Sequence, residues 1–169
     1  MSDQEQIEKK EKHPLDLLPK SPMALDACKR LYNDHKNSDK KYFTAEFSSM
    51  FDSNGYSLFK SHYKYNSDFD GRLSFVNNNY IKGVVQNLDD MRKYLFGSLV
   101  LFKTDDRHEF VGYWIMRGSE PTEELFDTFF EDNEWEKVEL SENVLKEYEQ
   151  AFYEEKVNDK TVIQKAIML

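Results

Sequence analysis

The pattern of apolar and polar residues is most distinctive between Val111 and Met116, a run without any charged side chain. Side chains alternate between the two faces of a β-strand, so Tyr113 and Ile115 share one face while Trp114 lies on the other. Both faces of this segment are therefore apolar. This pattern predicts a strand that is covered on both sides.

Two segments in the first third of the chain have the three- and four-residue spacing of amphipathic helices. The first is predicted over residues 23–36, with Ser21 as the N-cap and Pro22 at the first helical position, and the second over residues 40–51. The apolar residues that define the two stripes are Leu25, Cys28, Leu31, Tyr32, Phe43, Phe47, Met50 and Phe51.

The period of the pattern changes to two from Tyr56, which predicts a half-buried strand with its aromatic-rich face inward. Further along, strands are predicted over residues 98–102 and 110–117, joined as a hairpin by a short polar connection. A strand over residues 134–140 is predicted to be the last. A helix follows it, with Ser141 as the N-cap.

Between these elements the pattern is weaker and predicts a short strand near residues 73–76 and a helix near residues 84–95. Helices and strands are mixed, and the hairpin connection is too short for a parallel crossover. We therefore expect an α+β fold, in which a single domain has a largely antiparallel β-sheet flanked by α-helices.

The two ends of the chain differ in composition from its centre. Residues 1–12 carry few apolar side chains among mixed charges, so we expect a flexible tail or linker remnant. The domain itself is expected over residues 13–157, and residues 158–169 are assigned to a C-terminal extension of uncertain order. A proline-rich, extended segment should open the domain and dock three leucines on the core. These are Leu15, Leu17 and Leu18.

Composition limits the class of protein. The chain has 169 residues and a mass of 20.2 kDa, and its 13 Phe, 10 Tyr and 2 Trp predict one domain with an aromatic-rich core. There is no apolar run long enough to span a bilayer and no signal-peptide pattern, so a soluble, cytoplasmic protein is expected. The single cysteine, Cys28, agrees with a reducing compartment and is expected to be a small buried hydrophobe.

Charge is unevenly distributed along the chain. The formal net charge is -9, and residues 119–159 hold fifteen Asp and Glu against three Lys. Such a segment would repel a phosphate backbone, and binding to nucleic acid needs clustered Lys and Arg. We therefore expect a solvated acidic face and do not expect nucleic acid as a partner.

The residues suggest no chemistry that a known motif would support. A calcium-loop pattern begins at Asn66, but Asn77 stands where a bidentate Glu is required. The four histidines lie in separate segments, and the glycines form neither a phosphate-binding loop nor a nucleophile elbow. We therefore expect no enzyme, catalytic residue, cofactor or metal, and predict a binding or scaffolding domain.

Six motifs along the chain point to one family. They are HPLDLLPKSP from His13, LDACKR from Leu25, FDSNGYSLF from Phe51, YIKGVVQNLDDMRKYLFGSLVLF from Tyr80, GYWIMRG from Gly112 and EWEKV from Glu134. In this order and spacing they resemble the C-terminal domain of the gamma subunit of translation elongation factor 1, over residues 13–152. The residues after Phe152 depart from the usual ending of that family.

The resemblance implies a role in the eukaryotic complex that reloads the aminoacyl-tRNA-carrying GTPase with GTP. A different subunit performs the exchange, and gamma is regarded as a structural member. The implied function is a non-catalytic adaptor domain that anchors components of the complex through protein–protein contacts. The implied partners are other elongation factor 1 subunits or translation components, with no small-molecule substrate.

Polar residues inside the motifs are the candidates for partner contacts, because the apolar motif residues are expected to pack in the core. We expect Arg92, Lys93 and Arg117 to contribute to a shared contact patch, since they lie at ends of elements beside aromatic residues. Each of them could instead cap a helix or pair with a carboxylate. The wider set of polar motif residues comprises Lys20, Asp26, Lys29, Arg30, Gln86 and Asp89.

A second function class stays open at this point. Tyr63, Lys64 and Tyr65 could form a stacking platform for the bases of RNA, which would make the domain an RNA-associating module that tethers translation components. The net negative charge and the lack of RNA-binding signature motifs count against it.

Overall fold

The protein forms an antiparallel β-sheet with helices packed on both faces. The computed structural model describes residues 14–35, 41–66, 74–104, 107–120 and 131–168. The helices are α1 (Leu25–His35), α2 (Lys41–Met50), α3 (Ser74–Asn87) and α4 (Glu142–Tyr153), with 3-10 turns at Pro14–Leu17 and Asp89–Met91. The strands are β1 (Tyr56–Tyr63), β2 (Leu95–Thr104), β3 (Arg107–Arg117), β4 (Asn133–Val138), β5 (Lys156–Val157) and β6 (Lys160–Met168).

The strands lie in the order β4-β1-β3-β2-β6-β5, and each adjacent pair is antiparallel. Strands β2 and β3 form the predicted hairpin, with Leu95 opposite Met116 at the open end and Thr104 opposite Arg107 beside the turn. The prediction of an α+β domain with an antiparallel sheet and flanking helices is confirmed.

Each face of the sheet has its own hydrophobic core. On one face α1, α2 and α4 contribute residues such as Leu31, Phe47 and Phe152 to a cluster that we call the first core. On the other face α3 and the turn that follows it contribute Ile81 and Leu88 to the second core. All residues of β3 from 110 to 116 are buried between the two, which confirms that this strand is covered on both sides.

Trp114 fits into the sheet because its neighbours lack side chains. A Cβ atom on Gly112 would lie 2.2 Å from the Trp114 Nε1 atom, and one on Gly97 would lie 2.4 Å from the Trp114 Cε3 atom. The indole N–H donates a 2.9 Å hydrogen bond to the Ser61 hydroxyl, which is itself buried. Two glycines and a serine on three adjacent strands therefore leave the space that Trp114, the largest core side chain, fills.

Tyr148 attaches α4 to the middle of the sheet. Its hydroxyl lies 2.9 Å from the carbonyl oxygen of Phe59 and 3.1 Å from that of Trp114, two residues directly opposite each other on β1 and β3. The ring is buried and makes an edge contact with Tyr113. One side chain thus fixes the helix against both strands.

Several predicted elements agree closely with the structure. The helices predicted over residues 23–36 and 40–51 correspond to α1 and α2. The N-cap prediction for α4 is confirmed, because the Ser141 hydroxyl accepts a hydrogen bond from the backbone N–H of Val144.

The prediction for residues 73–95 is wrong. A helix begins at Ser74 and ends at Asn87, where a strand and a later helix were expected. Phe75 and Val76 have the β-branched and aromatic composition of a strand, but the core contacts made by Ile81, Val84 and Leu88 on one helical face determine the structure.

The prediction that β1 is half-buried is also wrong. Tyr56 and Leu58 face the first core while Phe59 faces the second, so the first half of the strand is covered on both sides. In the second half of the strand Lys60, His62 and Tyr63 are partly exposed, while Ser61 is buried.

The N-terminal segment differs from the predicted extended chain. Residues Pro14–Leu17 form a 3-10 turn, and Leu15 packs against the second core. Leu17 is 70% exposed, so the prediction that it docks on the core is wrong. The prediction that Ser21 is the N-cap of α1 is wrong, because the helix begins at Leu25. The Ser21 hydroxyl instead accepts from the Met23 N–H and donates to Asp52.

The C-terminal residues extend the sheet. The prediction that the strand over residues 134–140 is the last is wrong, because β5 and β6 follow α4. Strand β6 pairs with β2 from Val162 to Met168, and Val157 and Met168 are buried in the first and second cores. Residues that the sequence left without a structure therefore complete the part of the sheet beyond β2.

Candidate functional site

The structure brings the three candidate cations to one end of the sheet. The backbone N–H of Arg117, at the end of β3, donates a 2.8 Å hydrogen bond to the carbonyl of Tyr94. Tyr94 directly follows Arg92 and Lys93 in the connection between the second 3-10 turn and β2. The backbones of the three residues are thus close together, and their role in a shared contact patch stays a prediction.

The Arg117 side chain is used inside the domain. Its Nη1 atom donates to the carbonyl of Gly55 and its Nη2 atom to the carbonyl of Pro19, each at 2.5 Å. The guanidinium carbon also lies 5.3 Å from the centre of the Tyr56 ring. The planar guanidinium carries donors on both terminal nitrogens and is suited to this pair of hydrogen bonds. Together they join the N-terminal segment to the turn before β1.

Arg92 and Lys93 are exposed. Their side chains are 64% and 69% accessible, and each is close to a carboxylate, at 3.6 Å from Asp89 and 3.2 Å from Asp16. Exposed pairs of this kind contribute little to stability, because water and salt screen them. Both cations therefore stay accessible to a partner.

Lys29 joins this group from α1. Its Nζ atom donates a 2.5 Å hydrogen bond to the backbone carbonyl of Arg92. Partial burial lowers the pKa of Lys29, nearby Arg92 lowers it further, and Asp26 opposes the shift. We call Lys29, Arg92 and Lys93 the cationic end. Lys29 was only one of several polar candidates in the sequence, and its contact with Arg92 depends on how α1 packs.

Asp16 and Tyr94 contact each other beside the cationic end. The Tyr94 hydroxyl donates a 2.8 Å hydrogen bond to the Asp16 carboxylate. The hydrogen bond from Lys93 to the same carboxylate is the main cause of a raised Lys93 pKa. The N-terminal segment therefore supports one of the candidate cations.

The remaining polar motif residues are dispersed on the surface. Lys20, Asp26, Arg30, Gln86 and Asp89 are exposed, and they keep their side chains in contact with solvent. Of these residues, Asp89 is next to the candidate cations, through its contact with Arg92.

Two other side chains that could carry chemistry, Cys28 and Asn66, have structural roles. Burial raises the pKa of the Cys28 thiol to about 12, and its Sγ atom lies 3.7 Å from the Met50 Sδ atom. Asn66 accepts a hydrogen bond from the Phe110 N–H and donates one to the Tyr63 carbonyl, as expected for a polar turn. Residues 67–73 of the calcium-like loop lie outside the described residues, and its last four residues, 74–77, begin α3.

The part of the chain that the structure describes has no cluster of metal ligands. Among those residues, His, Cys, Asp and Glu form no group of three or more that could hold a metal ion. Within the same ranges, the helices are too short or too polar to cross a membrane.

The tyrosine platform is only partly present. Tyr63 packs between other rings, with its centre 5.0 Å from that of Tyr80 and 5.8 Å from that of Phe110. Tyr65 is 48% exposed and touches Tyr63 edge-on. One ring of the pair therefore faces solvent, while the other belongs to the second core.

Comparison with known proteins assigns the family. The model of "Elongation factor 1 gamma, conserved domain" matches residues 10–120. The chain belongs to the elongation factor 1-gamma family. The matched residues contain α1 to α3, β1 to β3 and the whole cationic end.

Members of this family from distant organisms match most of the chain. "Probable elongation factor 1-gamma 2" of Arabidopsis thaliana is 39% identical over 140 residues, which cover 82% of this chain and 33% of the relative. "Elongation factor 1-gamma 2" of Oryza sativa subsp. japonica is 37% identical over 146 residues, or 85% and 34%. "Elongation factor 1-gamma" of Trypanosoma cruzi is 38% identical over 135 residues, or 78% and 31%. The chain thus spans about a third of the length of these relatives.

Proposed function

We propose that this domain is a non-catalytic adaptor of the translation elongation factor 1 complex in the cytoplasm. It would support the delivery of aminoacyl-tRNA by anchoring components of the complex through protein–protein contacts. The observation that carries this proposal is the match of the elongation factor 1-gamma family over the segment that builds the sheet centre and the cationic end.

The cationic end is the surface through which we propose that a partner binds. Arg92 and Lys93 are exposed side chains in the family segment, and Tyr94 and Asp16 fix the backbone and the carboxylate beside them. Exposed charges at the rim of an interface mainly steer association and orient the partner. A partner with a complementary acidic surface fits these residues.

Arg117 has a different part in this proposal from the one that the sequence suggested. Both terminal nitrogens already bind backbone carbonyls, so the side chain supports the surface from within. It positions the N-terminal segment, which in turn supplies Asp16 to Lys93.

The proposal that the domain tethers RNA has weaker support. A stacking platform needs several accessible rings along the strand of nucleic acid, and Tyr63 is already packed against Tyr80 and Phe110. The net charge of -9 also opposes binding of a phosphate backbone.

Affinity capture tests the adaptor proposal. The full chain is immobilised, cytoplasmic extract with and without nuclease treatment is passed over it, and the retained proteins are quantified by mass spectrometry. Elongation factor 1 subunits or other translation components should be retained in both cases. Retention that disappears with nuclease would favour RNA tethering and contradict a direct protein adaptor.

A pair of double variants tests the surface. Replacing Arg92 and Lys93 with Ala should reduce retention of the partner at least about tenfold at low salt, because the removed charges steer association. Retention of the variant should also depend less on salt than that of the wild type, since fewer charges remain to be screened. The matched control replaces Lys82 and Lys103, two exposed lysines elsewhere, with Ala. Equal retention by both double variants would place the contact on another surface.

A further inference from the structure

The outer edge of β6 is a second surface with specific properties. On its inner edge β6 pairs with β2 from Val162 to Met168. The outer edge of β6 pairs with β5, which is only two residues long and covers Lys160 and Thr161. Beyond the hydrogen bond from the Val162 N–H to the Glu155 carbonyl, no described strand pairs with the outer edge of residues 163–168. An uncovered edge presents backbone donors and acceptors to a further strand.

The opposite edge of the sheet is protected by charge. Strand β4 carries Glu134, Glu136 and Lys137 among its six residues. Charged side chains on an edge strand discourage pairing with another chain, because a partner strand would have to bury or oppose them. The two edges of this sheet therefore differ in the feature that normally prevents association.

β6 has little of this protection. Between residues 161 and 168 the only charged side chain is Lys165, and its Nζ atom is bound to the carbonyl of Glu154 at the end of α4. Ile163, at an irregularity in the pairing with β2, is 41% exposed. The edge therefore presents β-branched and apolar residues next to backbone groups.

The properties of this edge also define the strand that would fit it. Val162 and Ile167 contact the first core and Ala166 and Met168 the second, so an added strand needs apolar side chains on both faces. It also needs few charges, because Lys165 is already bound within the domain. β6 itself meets these requirements, and a two-fold axis perpendicular to the sheet would place two copies of it antiparallel with matching faces.

We propose that β6 pairs with β6 of a second copy of this chain, joining two sheets edge to edge. This surface lies apart from the cationic end and the proposal does not depend on the adaptor function.

The sequence of β6 and the position of β5 select one register. A two-fold axis at Lys165 would set two lysines directly opposite each other, which is unfavourable. An axis at Gln164 would bring Met168 of one copy against Lys160 of the other, where β5 already covers the edge. An axis at Ala166 avoids both conflicts, placing Ala166 opposite itself and Lys165 opposite Ile167.

Size and charge set the strength of this contact. The edge from residue 163 to residue 168 is about 20 Å long at the usual rise per residue. The net charge of -9 opposes association, although the repulsion is screened beyond about 8 Å at physiological salt. We therefore expect a weak dimer whose population rises with protein concentration.

Sedimentation of the full chain over a range of concentrations tests the pairing. The mass should rise from 20.2 kDa toward twice that value. Gln164→Lys places a charge on the proposed interface and should weaken the dimer at least about tenfold. Thr161→Lys is the matched control, because it adds the same charge to the same strand where β5 covers the edge. Unfolding curves of both variants confirm that the monomer is intact.

Oxidative cross-linking tests the register. Residues directly opposite in an antiparallel pair have Cα atoms about 4.5 to 5.5 Å apart, within reach of a disulfide. Ala166→Cys should therefore give a covalent dimer. Lys165→Cys, whose copies would lie about 7 to 8 Å apart, should give much less. Cys28 does not interfere, since it is buried and burial raises its pKa to about 12.

Three outcomes would overturn the proposal. One is a protein that stays monomeric at every concentration with rapid exchange of the amides of residues 163–168, which would leave the edge to a strand of another protein. Another is a monomer in which those amides are protected, which would assign the edge to another segment of the same chain. The third is a dimer that Gln164→Lys and Thr161→Lys affect equally.

Discussion

Single residues connect distant parts of this chain through bonds to the backbone. Arg117 bonds the carbonyls of Gly55 and Pro19, and Tyr148 bonds those of Phe59 and Trp114. In the sequence, each of these residues is recognisable only as a charged or hydroxyl-bearing side chain among apolar residues. The acceptor is a backbone atom that no side-chain pattern reveals, which is why Arg117 was expected on a contact surface.

Replacing Arg117 with Ala should lower the free energy of unfolding by about 2 kcal/mol, because hydrogen bonds from a charged donor are lost at the part-buried carbonyl of Gly55 and the exposed carbonyl of Pro19. Arg117→Lys should recover part of this loss, since one ammonium cannot bond both carbonyls in the fork geometry. Urea denaturation measures both values. Unchanged stability of Arg117→Ala would mean that the two bonds contribute nothing to the fold.

Gly112→Ala should destabilise the domain by about 3 kcal/mol, because the new Cβ atom would overlap the Trp114 indole and the Ser61 hydroxyl. Gly83→Ala is the matched control, since a Cβ atom there meets nothing within 4 Å and alanine favours the helix by up to about 1 kcal/mol. Thermal unfolding of the two variants gives the comparison. Similar curves for both would contradict the tight packing of Trp114.

Asp52 should make the domain sensitive to acid. The Ser21 hydroxyl is the main cause of a lowered Asp52 pKa, with a further contribution from the Asn54 N–H. A lowered pKa contributes stability above the usual carboxyl value of 3.8, and this stability is lost as the pH falls through the lowered pKa. Between about pH 5 and about pH 2, Asp52→Asn should therefore lose less stability than the wild type.

Ser21→Ala provides the complementary variant. It removes the hydroxyl that lowers the Asp52 pKa, so its loss of stability with acid should also be smaller than that of the wild type. Denaturation at a series of pH values measures this slope. Parallel pH curves for all three proteins would show that the hydrogen bond has no net effect on folding.

At the scale of elements, prediction succeeded where the pattern was long and regular. The two-face pattern of β3 and the spacing in α1, α2 and α4 reflect direct packing on the sheet. The prediction for the segment from Ser74 to Asn87 failed because its first six residues contain two strand-favouring residues and three successive asparagines. Its helical state depends on Ile81 and Val84 reaching the second core, a contact between distant segments.

Tyr148→Phe should loosen α4 from the sheet and lower the free energy of unfolding by about 1 to 2 kcal/mol, since a buried hydroxyl with two acceptors is removed. Tyr153→Phe serves as the control on the same helix. Its hydroxyl makes one longer bond, of 3.2 Å, to the Tyr32 carbonyl, so its loss should be smaller. Calorimetry distinguishes the two, and equal losses would contradict the anchoring role of Tyr148.

At the scale of the whole molecule, sequence reasoning gave the fold class and the family but not the strand order. Strand β6 joins the sheet beside β2, more than fifty residues earlier in the chain, and local patterns carry no information on such pairing. The candidate contact patch stays a prediction. Within it, Arg92 and Lys93 are exposed, Lys29 joins them through the packing of α1, and Arg117 is used internally.

Two truncations test how the N-terminal segment belongs to the domain. Deleting residues 1–12 should leave the melting temperature unchanged. Deleting residues 1–18 should lower it by about 5 °C, because Leu15 leaves the second core and Tyr94 and Lys93 lose Asp16. Differential scanning calorimetry measures both. An equal melting temperature for the two truncations would mean that this segment is dispensable.

The position of Trp114 has an optical consequence. The chain has two tryptophans, one enclosed at the centre of the sheet and hydrogen-bonded to Ser61, the other, Trp135, half-buried on the edge strand β4. The enclosed indole should emit at shorter wavelength than the one near water. Replacing either by phenylalanine leaves a single emitter, so fluorescence can follow the margin and the interior of the same sheet separately as the protein unfolds.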